Sequence, residues 1–315
     1  MKNLPLYSST FLALLDDFQN DLIVRNKSSS LVYNLPTHLR EFFHYLESKG
    51  HENLNHVTTK IVTKYYQYLS TRKNERRGGA LSNGSLNKHQ QALKLFLAYL
   101  KNNNFKMTFG VHLKTEKTNT ITEKDILTPD EVKELFEACD YSHVSNRFRL
   151  RDKALLAILY SCGLRRNEAV GLNLNDVDFD NRQIYVRNGS RNKKRKNPYV
   201  PINDFNLKLI EDYIINSRPQ FHNSHLSDAL FVNKNGTRML GKSFSDRLMA
   251  IVKATENENI IEKDISPHNL RHSVATHLLQ NGLSIEKVSE FLGHNYLEST
   301  QIYLHLIDLD GDDDE

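Results

Sequence analysis

Two polar residues suited to holding a phosphate lie close together in the segment SPHNLR, which begins at Ser266. A serine followed by a proline is typical of a helix N-terminus, because the serine caps the helix and proline fits its first position. His268 and Arg271 are three residues apart and share one face of that predicted helix. An imidazole, a guanidinium and the free N–H groups of a helix end together favour phosphate binding. Taken alone, the motif also fits a local histidine cap and a surface Arg–carboxylate pair.

A second candidate arginine, Arg165, lies in the segment GLRRNE, directly after an apolar stretch that predicts a helix ending near Gly163. An arginine at the end of a buried element is held rigidly, and its planar guanidinium can grip two phosphate oxygens. Glu168 follows three residues later and is placed to orient that side chain. For this motif alone, an ordinary surface Arg–Glu pair is the alternative.

Two further segments supply a lysine and a tyrosine. RNGSRNKKRKNP joins two predicted strands, 183–186 and 199–202, as a long basic hairpin loop. A lysine at its tip would donate a proton within a site, or the loop would contact DNA non-specifically; the residues leave both open. Tyr303 follows the LGH segment of residues 292–294, and a phenol can attack phosphorus. Nothing intrinsic separates it from the rest of the 14 tyrosines.

Amphipathic helices are predicted in the first hundred residues, where apolar side chains recur at helical spacing. The apolar residues are Phe11, Leu12, Leu14, Leu15 and Phe18, then Leu35, Leu39, Phe42, Phe43 and Leu46, then Ile61, Tyr65, Tyr68 and Leu69, and finally Leu86, Leu93, Phe96, Leu97 and Leu100. The basic segment TRKNERRGG between the last two patterns predicts a loop. Further along the chain, a helix is expected over residues 205–217, with three more before the C-terminus.

The composition of residues 111–127 indicates an exposed linker, since it is rich in Thr, Lys and Glu without a clear period. A helix start follows at once: Thr128 is a good N-cap, Pro129 suits the first position, and Glu131 completes a capping box. We therefore predict a helical domain over residues 1–110, a linker over 111–127, a second domain over 128–307 and an acidic tail over 308–315.

Composition and charge favour a soluble protein with an anionic partner. The longest apolar run, residues 154–160, is too short to cross a bilayer, and the N-terminus lacks the features of a signal peptide. Cys139 and Cys162 lack metal-ligand spacing, and two cysteines 23 positions apart do not form a disulfide framework. We therefore predict a location in the reducing cytoplasm. Without the six carboxylates of the last eight residues, the net charge rises from +4 to +10. A basic body attracts polyanions such as nucleic acid.

The order and spacing of these motifs resemble the tyrosine recombinase (phage integrase) family, in an Xer-like or transposon-integrase-like form. The matching pieces are GLRRNE at 163–168, the basic hairpin, PHNLRH at 267–272, LGH at 292–294 and STQIY at 299–303. The resemblance implies a mainly α fold: a helical N-terminal core-binding (SAM-like) domain, followed by a mixed α/β, mostly helical catalytic domain with a small antiparallel sheet.

The resemblance also assigns roles to residues. It implies a catalytic set with Tyr303 as the nucleophile and Glu168 in a supporting role, the other members being Arg165, His268, Arg271 and His294. The family's catalytic lysine precedes the proline of the returning strand by a fixed interval, which leads from Pro201 to Lys193. The loop departs from the common pattern, so Lys194 and Lys196 stay as alternatives. Expected DNA contacts are Arg72, Lys73, Arg76, Arg77, Lys88, Arg191, Lys194, Arg195 and Lys196.

The implied function is site-specific recombination of double-stranded DNA through a 3′-phosphotyrosyl intermediate and a Holliday junction, without a metal or other cofactor. Family members act as a dimer on each site and a tetramer in the synapse, in the cytoplasm at the nucleoid; only 12 residues follow Tyr303 to mediate subunit contacts. Alternatives are a type IB topoisomerase-like enzyme, a DNA-binding protein with a vestigial active site, and an RNA-binding helical protein.

Overall fold

The computed structural model describes residues 4–74, 78–106, 108–117, 121–187, 195 and 197–304. The chain divides into two compact units, Met1–Asn119 and Thr120–Glu315. Their boundary falls within the span that the sequence predicts as a linker. The expected fold class is confirmed: the described residues are mainly helical, and they include a small antiparallel sheet.

The first unit is built from amphipathic helices that begin at capping hydroxyl groups. The side chains of Ser8, Ser28 and Ser82 each accept a hydrogen bond from a backbone N–H in the first turn of a helix, which satisfies a donor that the helix leaves free. The helices described in this unit are α1 (Ser9–Val24), α2 (Ser29–Glu47), α3 (Thr59–Thr71) and α4 (Asn83–Asn102).

The core of the first unit is aromatic. Phe11 stacks on Phe43 with ring centroids 4.5 Å apart. Phe96 meets the rings of Phe43 and Phe18 edge to face, at 5.5 Å in both cases. Such pairs contribute beyond the burial of their area, so these rings fix how α1, α2 and α4 pack together.

A buried carboxylate lies inside this core and pairs with one of the residues expected to contact DNA. Glu41 of α2 is buried, with 3% of its surface exposed, and accepts a hydrogen bond of 2.9 Å from the guanidinium of Arg72. Arg72 was expected to contact DNA, and that contact stays a prediction for a side chain that is paired with Glu41 within the unit. Lys73 and Lys88 are exposed, as a DNA contact requires. Arg76 and Arg77 lie outside the described residues.

The described part of the predicted linker divides between the two units. Residues 114–117 run along the first unit, where Gln90 donates to the carbonyl of Lys114 at 2.7 Å and Asn87 donates to that of Glu116 at 2.9 Å. Ile121 and Ile126 pack against a cluster of the second unit. Residues 114–117 of the predicted linker are therefore held against the first unit by hydrogen bonds from side chains of α4.

The second unit begins with the predicted capping box. The Thr128 hydroxyl accepts from the N–H of Glu131 at 3.2 Å, while the Glu131 carboxylate accepts from the N–H of Thr128 at 2.7 Å. The helices described in this unit are α5 (Pro129–Ala138), α6 (Asn146–Leu156), α7 (Arg166–Gly171), α8 (Asp204–Asp212), α9 (Gly241–Ala254), α10 (Glu258–Glu262), α11 (Pro267–Gln280), α12 (Ile285–Leu292) and α13 (Glu298–Gln301).

The expectation of three helices after residue 217 was wrong, since α9 to α13 lie in the described chain beyond that point. Two of them, α10 and α13, span only five and four residues. Such segments are shorter than the window over which apolar periodicity becomes visible. The predicted helices at 151–160 and 205–217 do occur, and each ends in a π-helical turn, at Ala157–Ser161 and Tyr213–Ser217.

The sheet of the second unit consists, within the described residues, of β1 (Val177–Asp178), β2 (Gln183–Tyr185) and β3 (Tyr199–Pro201) in that order. The two predicted strands pair antiparallel, with Tyr185 opposite Tyr199; β1 is too short for the sequence to reveal. The hairpin between β2 and β3 carries the lysine candidates, and Arg191, Lys193, Lys194 and Lys196 lie outside the described residues. Over the ranges that are described, no helix is long and apolar enough to cross a membrane.

Candidate active site

Arg165 is held at the start of α7 by the carboxylate of Glu168. One carboxylate oxygen accepts from the Arg165 backbone N–H and the other accepts from its guanidinium, both at 2.8 Å. Gly163 makes the preceding turn with a φ of +55°, and a Cβ at this residue would meet Leu292, Phe291 and Val274 at 3.1 to 3.2 Å. Glycine therefore lets the turn approach α11 and α12 closely, and 41% of the Arg165 side chain remains exposed.

Arg271 is the second arginine and is buried, with 3% of its surface exposed. Its guanidinium donates to the carbonyls of Gly163 and Leu292, so it joins the turn before α7 to the end of α12. Burial, followed by the charge of Arg165, lowers the pKa of Arg271 to about 9. The Arg271 guanidinium therefore stays protonated at neutral pH, and its hydrogen bonds to the two carbonyls fix its position.

The predicted N-terminus of α11 is confirmed. Ser266 caps it, Pro267 occupies the first turn, and a capping box with Asn269 completes it. His268 lies exposed in this first turn. Partial burial of the ring, then the charge of Arg271, lowers the pKa of His268, so the imidazole at the mouth of the site is neutral at pH 7.

His294 follows the end of α12, where Gly293 adopts a left-handed conformation with a φ of +64°. Its Nδ1 lies 2.7 Å from the hydroxyl oxygen of Thr300, a buried residue of α13. Burial, then Arg271 and Arg165, lowers the pKa of His294 to about 3. A neutral imidazole therefore lies close to the two arginines.

Tyr303 lies two residues after the end of α13 and is almost fully buried, with 1% of its surface exposed. Its hydroxyl oxygen lies 2.8 Å from Nδ1 of His272. Burial raises the pKa of Tyr303, while the charges of Arg271 and Arg165 act in the opposite direction. The phenol thus faces the cationic groups but is protonated at neutral pH.

His272 was not assigned a role from the sequence, although it belongs to the quoted PHNLRH motif. It lies four residues after His268 on the same helix, and their rings stack with centroids 6.3 Å apart. That i, i+4 spacing was the available signal. Its contact with Tyr303 joins residues 31 positions apart, which spacing within a helix does not reveal.

Arg195 of the basic hairpin was expected to contact DNA, and that contact stays a prediction for a residue that is buried beside Arg165. Only 7% of its surface is exposed. Its guanidinium lies 3.4 Å from the Glu168 carboxylate, and it donates to the carbonyl of Phe291. Burial lowers the pKa of Arg195. Arg195 therefore attaches the hairpin to the residues around Arg165 instead of presenting its charge to solvent.

The described segments meet in one electropositive site. The charges of Arg165 and Arg271 both act on His268, His294 and Tyr303, although these residues come from separate helices. Two fixed guanidinium groups, two neutral imidazoles and a phenol can bind a phosphate, stabilise added negative charge on it and attack its phosphorus atom. Within the described chain, no group of three or more His, Cys, Asp or Glu side chains is arranged to hold a metal ion.

Comparison with known proteins identifies the family. The model of the phage integrase family matches residues 125–309, more than half of the chain, and that of the phage integrase N-terminal SAM-like domain matches residues 15–104. The chain belongs to the phage integrase family. The prediction of a member of the tyrosine recombinase (phage integrase) family, in an Xer-like or transposon-integrase-like form, is confirmed by these matches together with the Xer relatives that follow.

Relatives within the phage integrase family match over most of their length. Tyrosine recombinase XerC of Natranaerobius thermophilus is 34% identical, with 85% of this chain and 93% of the relative covered. Tyrosine recombinase XerD of Listeria monocytogenes is 31% identical, with 94% and 95% covered.

Solved structures of the same fold are more distant in sequence. The XerH site-specific recombinase bound to palindromic difH substrate has a TM-score of 0.71 at 19% identity, with 98% of this chain and 97% of that chain covered. The Tn1549 transposon integrase in complex with transposon right end DNA has a TM-score of 0.68 at 17% identity, with 95% and 98% covered. At these identities the likeness establishes the fold.

Proposed function

We propose that this tyrosine recombinase cleaves and rejoins double-stranded DNA at a specific site, with Tyr303 as the nucleophile. The phenol oxygen attacks the scissile phosphorus, the bond to the 5′-oxygen breaks, and the DNA 3′-phosphate becomes joined to the enzyme. The phosphotyrosyl bond conserves the energy needed for rejoining. Attack by the 5′-hydroxyl of a partner strand then produces a Holliday junction.

The observation that carries this proposal is that the charges of Arg165 and Arg271 both act on Tyr303. Both guanidinium groups are fixed before DNA binds, Arg165 by Glu168 and Arg271 by two carbonyls. Each would hold a non-bridging oxygen of the phosphate, and cationic donors that need no rearrangement stabilise the more highly charged transition state.

The histidines suit hydrogen bonding to that phosphate. His268 and His294 are neutral at pH 7 because their pKa values lie below the ordinary 6.5, and a neutral imidazole donates one N–H. Binding of an anionic phosphate near them would raise both pKa values, since it offsets the neighbouring arginine charges. In this proposal a hairpin lysine, Lys193 or else Lys194 or Lys196, protonates the leaving 5′-oxygen.

The proposed partners are duplex DNA and further copies of the chain. The exposed Lys73 and Lys88 of the first unit are available for phosphates of the DNA backbone. Related proteins of the same fold carry DNA in their solved structures, among them XerH and the Tn1549 integrase. Exchange between two duplexes needs two protomers on each, so we propose a dimer per site and a tetramer in the synapse, acting at the nucleoid.

The test is to trap covalent protein–DNA complexes in cells and to sequence the attached DNA. The wild-type protein should accumulate at discrete sites, and Tyr303→Phe should bind without becoming attached. Tyr296→Phe is the matched control, because this neighbouring tyrosine is 71% exposed and should leave attachment unchanged.

The same experiment separates the alternatives. Attachment at many unrelated sequences, with relaxation of any supercoiled plasmid, would favour a type IB topoisomerase-like enzyme over a recombinase. Absence of any attachment by the wild-type protein would favour a DNA-binding protein with a vestigial site.

A further inference from the structure

The Tyr303 hydroxyl has a single described side-chain partner, and that partner is not one of the residues assigned above. Nδ1 of His272 lies 2.8 Å from the phenol oxygen, and the two rings lie 5.5 Å apart between centroids. His272 belongs to α11, one residue after Arg271 and four after His268. The helix that supplies phosphate-binding groups therefore also supplies the contact to the nucleophile.

The surroundings of His272 keep its ring neutral in the DNA-free enzyme. Burial, then the neighbouring His268 and Arg271, lowers its pKa to about 4, and Asp125 acts weakly in the opposite direction. A neutral imidazole has one nitrogen that accepts a hydrogen bond. With the ring proton on the other nitrogen, Nδ1 accepts the hydrogen bond that the Tyr303 hydroxyl donates.

We propose that His272 is a catalytic residue that positions the Tyr303 hydroxyl and accepts its proton during attack. This inference rests on the proposed function of Tyr303. As the bond from Oη to phosphorus forms and the bond to the 5′-oxygen breaks, the phenol proton moves to Nδ1 of His272. The 5′-oxygen takes its proton from the hairpin lysine. During rejoining, the attacking 5′-hydroxyl returns its proton to the lysine and the imidazolium returns its proton to the departing phenolate, so the enzyme ends unchanged.

The phosphate itself would prepare His272 for this task. In the free enzyme, the charge of Arg271 opposes protonation of His272. A phosphate bound by Arg271 offsets that charge, which raises the proton affinity of the imidazole. The proton is therefore held on Tyr303 until a substrate arrives, and the buried phenol is not a free nucleophile without DNA.

A second histidine–tyrosine pair on the same helix offers a matched control. Nδ1 of His277 lies 2.9 Å from the hydroxyl oxygen of Tyr160, and His277 is also largely buried, with 8% exposed. This pair has the same chemistry and helix but lacks the nucleophile. Loss of the two pairs should have similar effects on stability and different effects on cleavage.

The experiment measures single-turnover cleavage of a nicked duplex that carries the DNA site recovered by covalent trapping. His272→Ala should slow formation of the covalent complex by about 100-fold or more, the range of general base catalysis, and His277→Ala should leave it within about threefold of wild type. His272→Asn places an oxygen near the position of Nδ1 but takes no proton. The His272→Asn variant should therefore cleave slowly. Its cleavage rate should keep rising with pH over the range in which the wild-type rate is constant.

A duplex with a bridging 5′-sulfur at the cleaved bond separates proton removal from proton donation, because the thiolate leaves without an acid. With this substrate, a variant of the hairpin lysine should recover its cleavage rate, whereas His272→Ala and His272→Asn should remain slow. Two results would overturn the proposal. One is full recovery of the cleavage rate by the His272 variants on the sulfur-containing duplex, and the other is a wild-type cleavage rate of these variants on ordinary DNA. If Tyr303→Phe still formed no adduct in that case, the function proposed for Tyr303 would stand.

Discussion

Replacing Arg271 by methionine should abolish DNA cleavage while costing the second unit at most about 1 kcal/mol of stability. Methionine fills a similar volume without a charge. The wild-type guanidinium is buried without a carboxylate hydrogen-bonded to it in the described structure, and it is held by two backbone carbonyls. The buried charge of Arg271 is then explained by phosphate binding, since folding does not require it.

The magnitude follows from two opposing terms. The pKa of Arg271 falls from 12.5 to about 9, which corresponds to a cost on the order of 5 kcal/mol for keeping the buried group charged. The substitution removes this cost but leaves the carbonyls of Gly163 and Leu292 without that donor, at about 1 to 3 kcal/mol each. The sum of the two terms lies between about 3 kcal/mol of stabilisation and about 1 kcal/mol of destabilisation.

The rate should respond very differently. Loss of a guanidinium that stabilises a phosphoryl transition state costs about 10³- to 10⁵-fold. Urea unfolding followed by circular dichroism measures stability, and single-turnover cleavage measures the rate. Arg151→Met is the control, because Arg151 is equally buried and donates to the carbonyl of Val232 away from the site; its cleavage rate should match the wild type. Arg271→Met that cleaved within tenfold of the wild type would refute the reasoning.

Three further predictions concern Arg195 of the basic hairpin, Gly293 at the end of α12, and the stability of the first unit in acid. Arg195→Ala removes the contacts to Glu168 and the Phe291 carbonyl and should slow cleavage by about 10- to 100-fold, as small misplacements do; an unchanged single-turnover rate would contradict this. Gly293→Ala should lower the free energy of unfolding by at least about 1 kcal/mol, since φ is +64° and the new Cβ would lie 2.3 Å from Cγ of Arg195. Adding Arg195→Ala should relieve the clash, so additive losses in urea unfolding would argue against it. In the first unit, the pKa values of His38 and His89 are about 4 and about 3. The unfolded chain, with an ordinary value near 6.5, binds more protons below that pH, so stability is lost as the pH falls from 6.5 towards 4. Buried His89 alone accounts for a loss on the order of 3 kcal/mol at pH 4. Hydrogen exchange of α2 and α4 at pH 7 and pH 4.5 measures this, and a pH dependence that survives in His89→Gln would count against the assignment.

Local signals allowed much of the second unit to be predicted. The capping box at Thr128 and the Ser-Pro start at Ser266 predicted the starts of α5 and α11, because both signals depend only on residues within one helical turn. The motif order and the family resemblance then identified the residues that meet in the site. Segments as short as β1 and α13 carry too few residues for a recognisable period.

The uses of individual cations could not be predicted in the same way. Arg72 and Arg195 both lie in basic segments that indicate a solvated surface, yet each is paired with a carboxylate from another element. Glu41 lies among the apolar residues of α2, and nothing in its neighbourhood indicates that its partner is an arginine 31 positions away. Long-range packing decides which charges remain available to DNA.

The most direct measurement is to identify the amino acid that becomes joined to DNA. The wild-type protein is trapped on a nicked duplex carrying the recovered site, digested with trypsin and nuclease, and analysed by tandem mass spectrometry. The peptide after Lys287 contains both Tyr296 and Tyr303, so its fragments distinguish them. We predict a nucleotide joined through its 3′-phosphate to the Tyr303 oxygen. The same group on Tyr296, or on a residue outside the second unit, would contradict the active site described above.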